Sequence, residues 1–122
     1  MAKNRILIVD DSESIREVVG LSLREAGYEV KAGINGKDAL DILTENDFDL
    51  IISDLNMPIM DGITFLKEVR KNESYKFLPF LILTTESQET KKMEAKKSGA
   101  TGWIIKPFVK DKLIAVVKKV LR

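Results

Sequence analysis

The feature that most constrains the fold is a fivefold alternation of short apolar runs with segments of helical period. Ile6-Leu7-Ile8-Val9 is continuously apolar and rich in β-branched residues, as expected of a parallel strand covered on both faces. Ile15, Val18, Val19 and Leu23 then recur at helical spacing, and Gly27 ends that helix. Its start is open between a capping box formed by Ser14 and Glu17 and a cap at Ser12. From Tyr28 to Ile34 the pattern changes. Tyr28, Val30, Ala32 and Ile34 alternate with Glu29, Lys31 and Gly33, which suggests a half-exposed strand at a sheet edge. A second helix is expected from about Gly36 to Asn46, with Ala39, Leu40 and Leu43 facing inward, and a third strand from Asp49 to Ser53. The third helix follows Gly62 and uses Phe65, Leu66 and Val69; Asp61 is its expected cap. Phe80-Leu81-Ile82-Leu83 reads as a fourth strand, and Gln88 to Ser98 as a polar helix closed by Gly99. Gly102 to Ile105 is the fifth strand, and Asp111 to Leu121 the last helix.

Five strand-then-helix units imply an α/β fold, a five-stranded parallel sheet with helices on both faces. The continuously apolar first, third and fourth strands belong in the middle and the alternating second at an edge. The order 2-1-3-4-5 follows: the flavodoxin-like, doubly wound (βα)5 arrangement, in which ligands bind at the carboxyl ends of strands one and three. With 122 residues and no linker, repeat or low-complexity tract, residues 1–122 read as a single domain.

The strand ends carry the chemistry. The first strand ends in Asp10-Asp11, the third in Asp54, the fourth in Thr84-Thr85 and the fifth in Lys106-Pro107. The topology brings all of these to one rim. Any one of them could be an ordinary polar residue opening a loop. As a set they need more, because three acids on adjacent strands repel one another unless a cation offsets them. The chain has no cysteine and no histidine, so thiolate chemistry, disulfides and the commonest zinc ligands are excluded. Carboxylate and carbonyl donors favour a hard divalent ion, and a partly open rim with few protein ligands suits Mg²⁺. Mg²⁺, Lys106 and the Thr84 hydroxyl would together neutralise the equatorial oxygens of a phosphoryl group in transfer, with Asp54 as nucleophile.

The strings ILIVDD, IISDLNMPIMDG, LILTTE and WIIKPF, in this order and spacing, resemble the receiver domain of two-component response regulators from about Arg5 to Leu121. The resemblance implies that Asp54 accepts a phosphoryl group from a sensor histidine kinase and later loses it by hydrolysis. It implies that Asp11, Asp54 and the Asn56 carbonyl bind Mg²⁺ directly and Asp10 largely through water. Lys106 is expected to pair with the acids and then with the phosphoryl oxygen, on which Thr84 closes as a switch. The Lys106-Pro107 peptide is expected to be cis. Trp103 stands where receivers carry a switch aromatic, and its bulk puts the familiar rotamer change in question. Asn56 and Glu86 occupy two places that modulate loss of the phosphoryl group, and as a pair they resemble the CheY-like chemotaxis regulators.

The same resemblance places signalling on the fourth helix, fifth strand and fifth helix. In the last helix Leu113, Val117 and Val120 form an apolar stripe that Ile114, Val116 and Leu121 widen, enough for a downstream target or a second copy. Homodimerisation on phosphorylation and a flagellar motor switch as target are the partners this suggests. A net charge of +1 offers no overall attraction to nucleic acid or membrane, no apolar run is long enough to span a bilayer, and the cytoplasm is the expected location. The chain reads as a stand-alone regulator or as a receiver cut from a larger regulator or hybrid kinase.

Two rival classes fit less well. A Mg²⁺-dependent phosphatase with an aspartyl nucleophile typically has a second acid two places on, where this chain has Asn56, whose amide cannot transfer protons. A flavodoxin needs a hydroxyl- and glycine-rich phosphate loop after its first strand, where this chain has Asp10-Asp11-Ser12-Glu13.

Overall fold

A computed structural model describes residues 3–121. Strands and helices alternate in the order β1 (Arg5–Val9), α1 (Glu13–Glu25), β2 (Glu29–Gly33), α2 (Gly36–Glu45), β3 (Leu50–Ser53), α3 (Gly62–Lys71), a 3-10 turn (Glu73–Tyr75), β4 (Phe80–Thr84), α4 (Glu89–Lys97), β5 (Gly102–Ile105) and α5 (Lys110–Val120). The sheet is parallel throughout in the order β2-β1-β3-β4-β5, as the apolar patterning requires.

Because successive side chains of a strand point to opposite faces, the central strands feed two separate cores. Ile6, Ile8, Leu50, Ile52, Leu81 and Leu83 pack with Val19 and Leu23 of α1 and Leu113 and Val117 of α5. Leu7, Val9, Ile51, Phe80 and Ile82 pack with residues of α2, α3 and α4, among them Leu43, Phe65 and Ala95. Each fully buried aliphatic or aromatic side chain contributes about 1.5–3 kcal/mol of transfer free energy. The two layers therefore fix β1 and β3, and with them the rim, more firmly than hydrogen bonding alone would.

Several expectations change in detail. Ser12, not Ser14, caps α1, its Oγ accepting the Ile15 N–H at 3.3 Å. Asp61 caps α3, accepting the Thr64 N–H at 2.8 Å. Val18 has helical spacing with Ile15 but faces outward at 53% exposure, while the small Ser22 is buried. In β2 the alternation fails at its end: Ala32 and Ile34 are exposed and Gly33 is buried, packed against Ala39 at the start of α2. The widened stripe of α5 is largely used within the chain. Ile114, Val116, Val120 and Leu121 are half-buried in the same layer as α1, and α4 lies on the opposite face of the sheet.

Candidate functional site

At the carboxyl ends of β1 and β3 the chain leaves two buried carboxyl groups, Asp10 at 2% and Asp54 at 9% exposure. Backbone amides hold them in place. Asp10 Oδ1 accepts the Ser12 N–H at 2.9 Å, and Asp54 Oδ1 accepts the Leu55 N–H at 2.6 Å. The strand register fixes their separation, because the Asp54 N–H donates to the Val9 carbonyl at 2.8 Å. Asp11, one residue further along, is exposed, yet one oxygen from each of Asp10, Asp11 and Asp54 lies within 4.8 Å of the others. At a separation of 4.8 Å and an effective dielectric constant near 20, two like charges repel by roughly 3 kcal/mol, so the cluster requires positive charge.

Lys106, arriving from β5, supplies some of it. Its ammonium donates to Asp10 Oδ2 at 2.7 Å and to Asp54 Oδ2 at 3.2 Å, and its side chain is only 11% exposed. Burial is the largest single influence on this lysine and pulls its pKa down. The hydrogen bond to Asp10 and the charges of Asp54 and Asp10 more than reverse that pull, so the net shift is upward. One ammonium against three carboxylates leaves a negative balance. A set made only of carboxylate oxygens at this spacing, open to solvent through Asp11, fits a hard divalent cation.

The remaining expected residues lie on or beside the same rim. Thr84 is fully buried at the end of β4; its Oγ1 accepts the Glu86 N–H at 3.2 Å and its carbonyl accepts the Lys106 N–H at 2.8 Å. Glu86 is half-buried and Asn56 exposed. The Lys106-Pro107 peptide is cis. Trp103 stands two positions before the strand partner of Thr84. In the β4–β5 register it pairs with Ile82, and Ile105 pairs with Thr84. The indole is half-buried against the core shared with α4, and its Nε1–H is buried without a partner among the described residues.

Close packing as well as the Asp54 and Asp61 carboxylates shapes the loop from β3 into α3. Met57 is buried in the core, and the Gly62 N–H donates to the Leu55 carbonyl at 2.8 Å. A Cβ on Gly62 would overlap the Asp54 carbonyl oxygen and come within 2.9 Å of the Leu55 Cα, so only glycine allows this approach. Ile59 adopts φ +70, a left-handed conformation rare for a β-branched residue. Two contributors were missed in the sequence. Arg16 donates to the Asp10 carbonyl at 2.7 Å, and the Ser53 hydroxyl donates to the Asp54 carbonyl at 2.8 Å. Arg16 lies one turn into α1, where a cation facing back toward Asp10 could have been suspected from helical spacing.

The response regulator receiver domain model matches residues 6–118. The chain is similar to chemotaxis protein CheY-3 of Vibrio cholerae, at 38% identity over 94% of this chain and 92% of that protein. The solved structure of Vibrio cholerae CheY4 superposes with a TM-score of 0.94 at 48% identity, covering 98% of this chain and all of that one. The response regulator TrrA of Thermotoga maritima, solved in complex with Mg(2+)-BeF, is 35% identical with a TM-score of 0.86, over 97% of this chain and 99% of that one. The transcriptional regulatory protein SrrA of Staphylococcus aureus is 36% identical over 98% of this chain, which spans 48% of that protein. Paired acids ending β1, an acid ending β3 and a lysine reaching back from β5 therefore stand within a match that runs nearly end to end: the chain belongs to the response regulator receiver domain family.

Proposed function

We propose that this chain is a single-domain, phosphorylation-activated switch in which Asp54 takes a phosphoryl group from a sensor histidine kinase. The bond from phosphorus to the donor imidazole nitrogen breaks as one from Asp54 Oδ to phosphorus forms, and the donor ring, protonated on its other nitrogen, takes up the bonding pair and leaves as neutral imidazole. Hydrolysis then returns the carboxylate and inorganic phosphate. The reading rests above all on one observation: the Lys106 ammonium bridges Asp10 and Asp54 within a cluster of three acids that still lacks positive charge. Asp11 and Asp54, with the Asn56 carbonyl, would hold Mg²⁺, and Asp10 would reach it largely through water; the ion supplies neutralisation of the phosphoryl oxygens. The Mg(2+)-BeF complex of the similar Thermotoga protein supports this choice.

Lys106 is tethered to both acids and is free to transfer one hydrogen bond to an incoming phosphoryl oxygen. Thr84 closes on another oxygen as the switch, which requires its hydroxyl to leave the Glu86 N–H. Asn56 and Glu86 order or exclude the attacking water and so set the lifetime of the mark. Output passes through α4, β5 and α5 to a downstream protein, with Trp103 repacking as Thr84 moves. The CheY relatives favour a chemotaxis-type regulator of the cytoplasm, with the flagellar motor switch as the candidate target and homodimerisation on phosphorylation as a further route. A receiver belonging to a longer regulator is the second reading, favoured by SrrA, of which this chain spans about half.

The test is incubation with acetyl phosphate and Mg²⁺, read by intact mass and by Trp103 fluorescence. Wild type should gain one phosphoryl group and change its emission. Asp54→Asn should do neither, and EDTA should abolish uptake. Uptake by Asp54→Asn equal to wild type would sink the proposal.

A further inference from the structure

At the opposite end of the sheet from the acid cluster, the amino ends of β1 and β2 border a recess of about 400 Å³ lined by Lys3, Arg5, Arg24 and Lys31, with Tyr28 and Phe48 among its other walls. We propose that this recess is a second ligand site, one that takes a polyphosphate chain. Among the described residues four cationic residues line it against a single lining carboxylate, Glu29, in a chain whose overall charge is only +1; the Arg24 guanidinium reaches it from over Gly20, one turn back along α1. Asp49 lies nearby, but one of its carboxylate oxygens accepts the Arg5 backbone N–H at 2.7 Å.

The cations differ in how they are held. The Arg5 guanidinium is fixed from three directions: Asn46 Oδ1 at 3.3 Å, Glu29 at 3.6 Å and the Phe48 ring, whose centroid is 5.4 Å away. Its planar fork is thereby pre-oriented, which lowers the entropic cost of binding a phosphate oxygen. Lys3, Arg24 and Lys31 have no carboxylate within 4.0 Å among the described residues. Like charges gathered in one concave surface raise the local concentration of anions. β1 separates this recess from the acid cluster by its length of ~17 Å, about two Debye lengths at physiological salt, so the acids at the far rim do little to cancel the field.

The form of the recess selects the ligand. The four cations come from four segments: the chain before β1, β1 itself, the last turn of α1, and β2. Cations spread around a volume of this size match charges spaced along a chain of phosphates better than one compact anion. The shared chemistry of inorganic polyphosphate and a nucleoside polyphosphate is that chain. Tyr28 and Phe48 offer aromatic surface that only the second could use.

The experiment titrates the full chain, ¹⁵N-labelled and in EDTA, with tripolyphosphate and separately with ATP, against sodium chloride and sulfate at matched ionic strength. Without a divalent metal the acid cluster repels phosphate, so it cannot supply the signal. Saturable shifts confined to residues around Lys3, Arg5, Arg24 and Lys31 are expected. They should persist in Asp54→Asn and weaken at least tenfold when Arg24→Glu and Lys31→Glu are combined, with acetyl phosphate uptake unchanged. ATP binding more tightly, with shifts at Tyr28 and Phe48, would assign the nucleoside form; equal affinities would assign the phosphate chain alone. Shifts that follow sodium chloride, that fall equally on the α4 lysines, or that survive the charge reversal would overturn the site.

Discussion

β3 is buried along its whole length and anchors its loop into α3 through Leu55, Met57 and Gly62, whereas β5 with α4, on the far side of β4, is half open. All four residues of β3 are buried, and none of β5 is. α3 buries Gly62, Ile63, Phe65, Leu66 and Val69, but α4 buries only Ala95. The contrast extends to backbone detail. Gly62 lies against the main chain of Asp54 and Leu55, while Gly102 in β5 meets only the tip of the Leu81 side chain. The buried, backbone-anchored Asp54 carboxylate belongs to the first region. The second, with few buried residues and an indole N–H that has no acceptor among the described residues, has the sparse packing of elements that rearrange at low cost.

The strongest way to break this comparison is to remove the ammonium that joins the two regions. Lys106→Met should destabilise the metal-free protein by about 3–5 kcal/mol near neutral pH, because it removes the ammonium hydrogen-bonded to both buried carboxylates, Asp10 and Asp54. The pH dependence has a definite sign. Lys106 is raised above its ordinary 10.5 in the folded state, so its contribution is fully present below that value. The contribution is lost as pH rises through the higher folded-state pKa. Urea unfolding of both proteins should therefore show a constant gap from neutral to about pH 10, closing only beyond it. A gap that closes near pH 8 would contradict the pairing.

Gly62→Ala and Gly102→Ala sharpen the contrast directly. The first forces a methyl group onto backbone and should cost about 2–3 kcal/mol. The second displaces a movable leucine tip and replaces a flexible strand residue, so it should change stability by less than about 1 kcal/mol. Equal losses would mean that the two regions are packed alike. The smallest effect is expected at Ile59. This residue is 80% exposed, so its replacement sacrifices little packing, and Ile59→Asn relieves a left-handed backbone in a β-branched residue. A gain of about 0.5–1 kcal/mol in denaturant unfolding is expected.

The sequence carried the fold clearly because the apolar periods switch between strand and helix five times, and continuous against alternating runs separated central strands from the edge. The rim was legible for a related reason: in a parallel sheet the first polar residue after every strand arrives at the same end. What stayed hidden depends on distances between remote segments. Val18 keeps helical spacing with Ile15, yet it lies outward while the neighbouring Val19 and Leu23 are fully buried. The hydrogen bond from Arg16 to the Asp10 carbonyl and the left-handed Ile59 leave no compositional trace. The α5 stripe seemed wider than one core face needs, yet most of its width packs in the layer shared with α1. Four cations from four segments likewise look like scattered surface charge until the strand ends bring them to one recess.

The central claim is that one carboxyl group of the acid cluster, held by Lys106 and backbone amides, is the one that reacts. Its most direct test is to treat the protein with acetyl phosphate and Mg²⁺, reduce with borohydride, and map the modified residue by peptide mass spectrometry. Reduction converts an aspartyl phosphate to homoserine. Homoserine at position 54 alone is the expected result; homoserine at position 10 or 11, or at none of the three after measured phosphoryl uptake, would contradict the account.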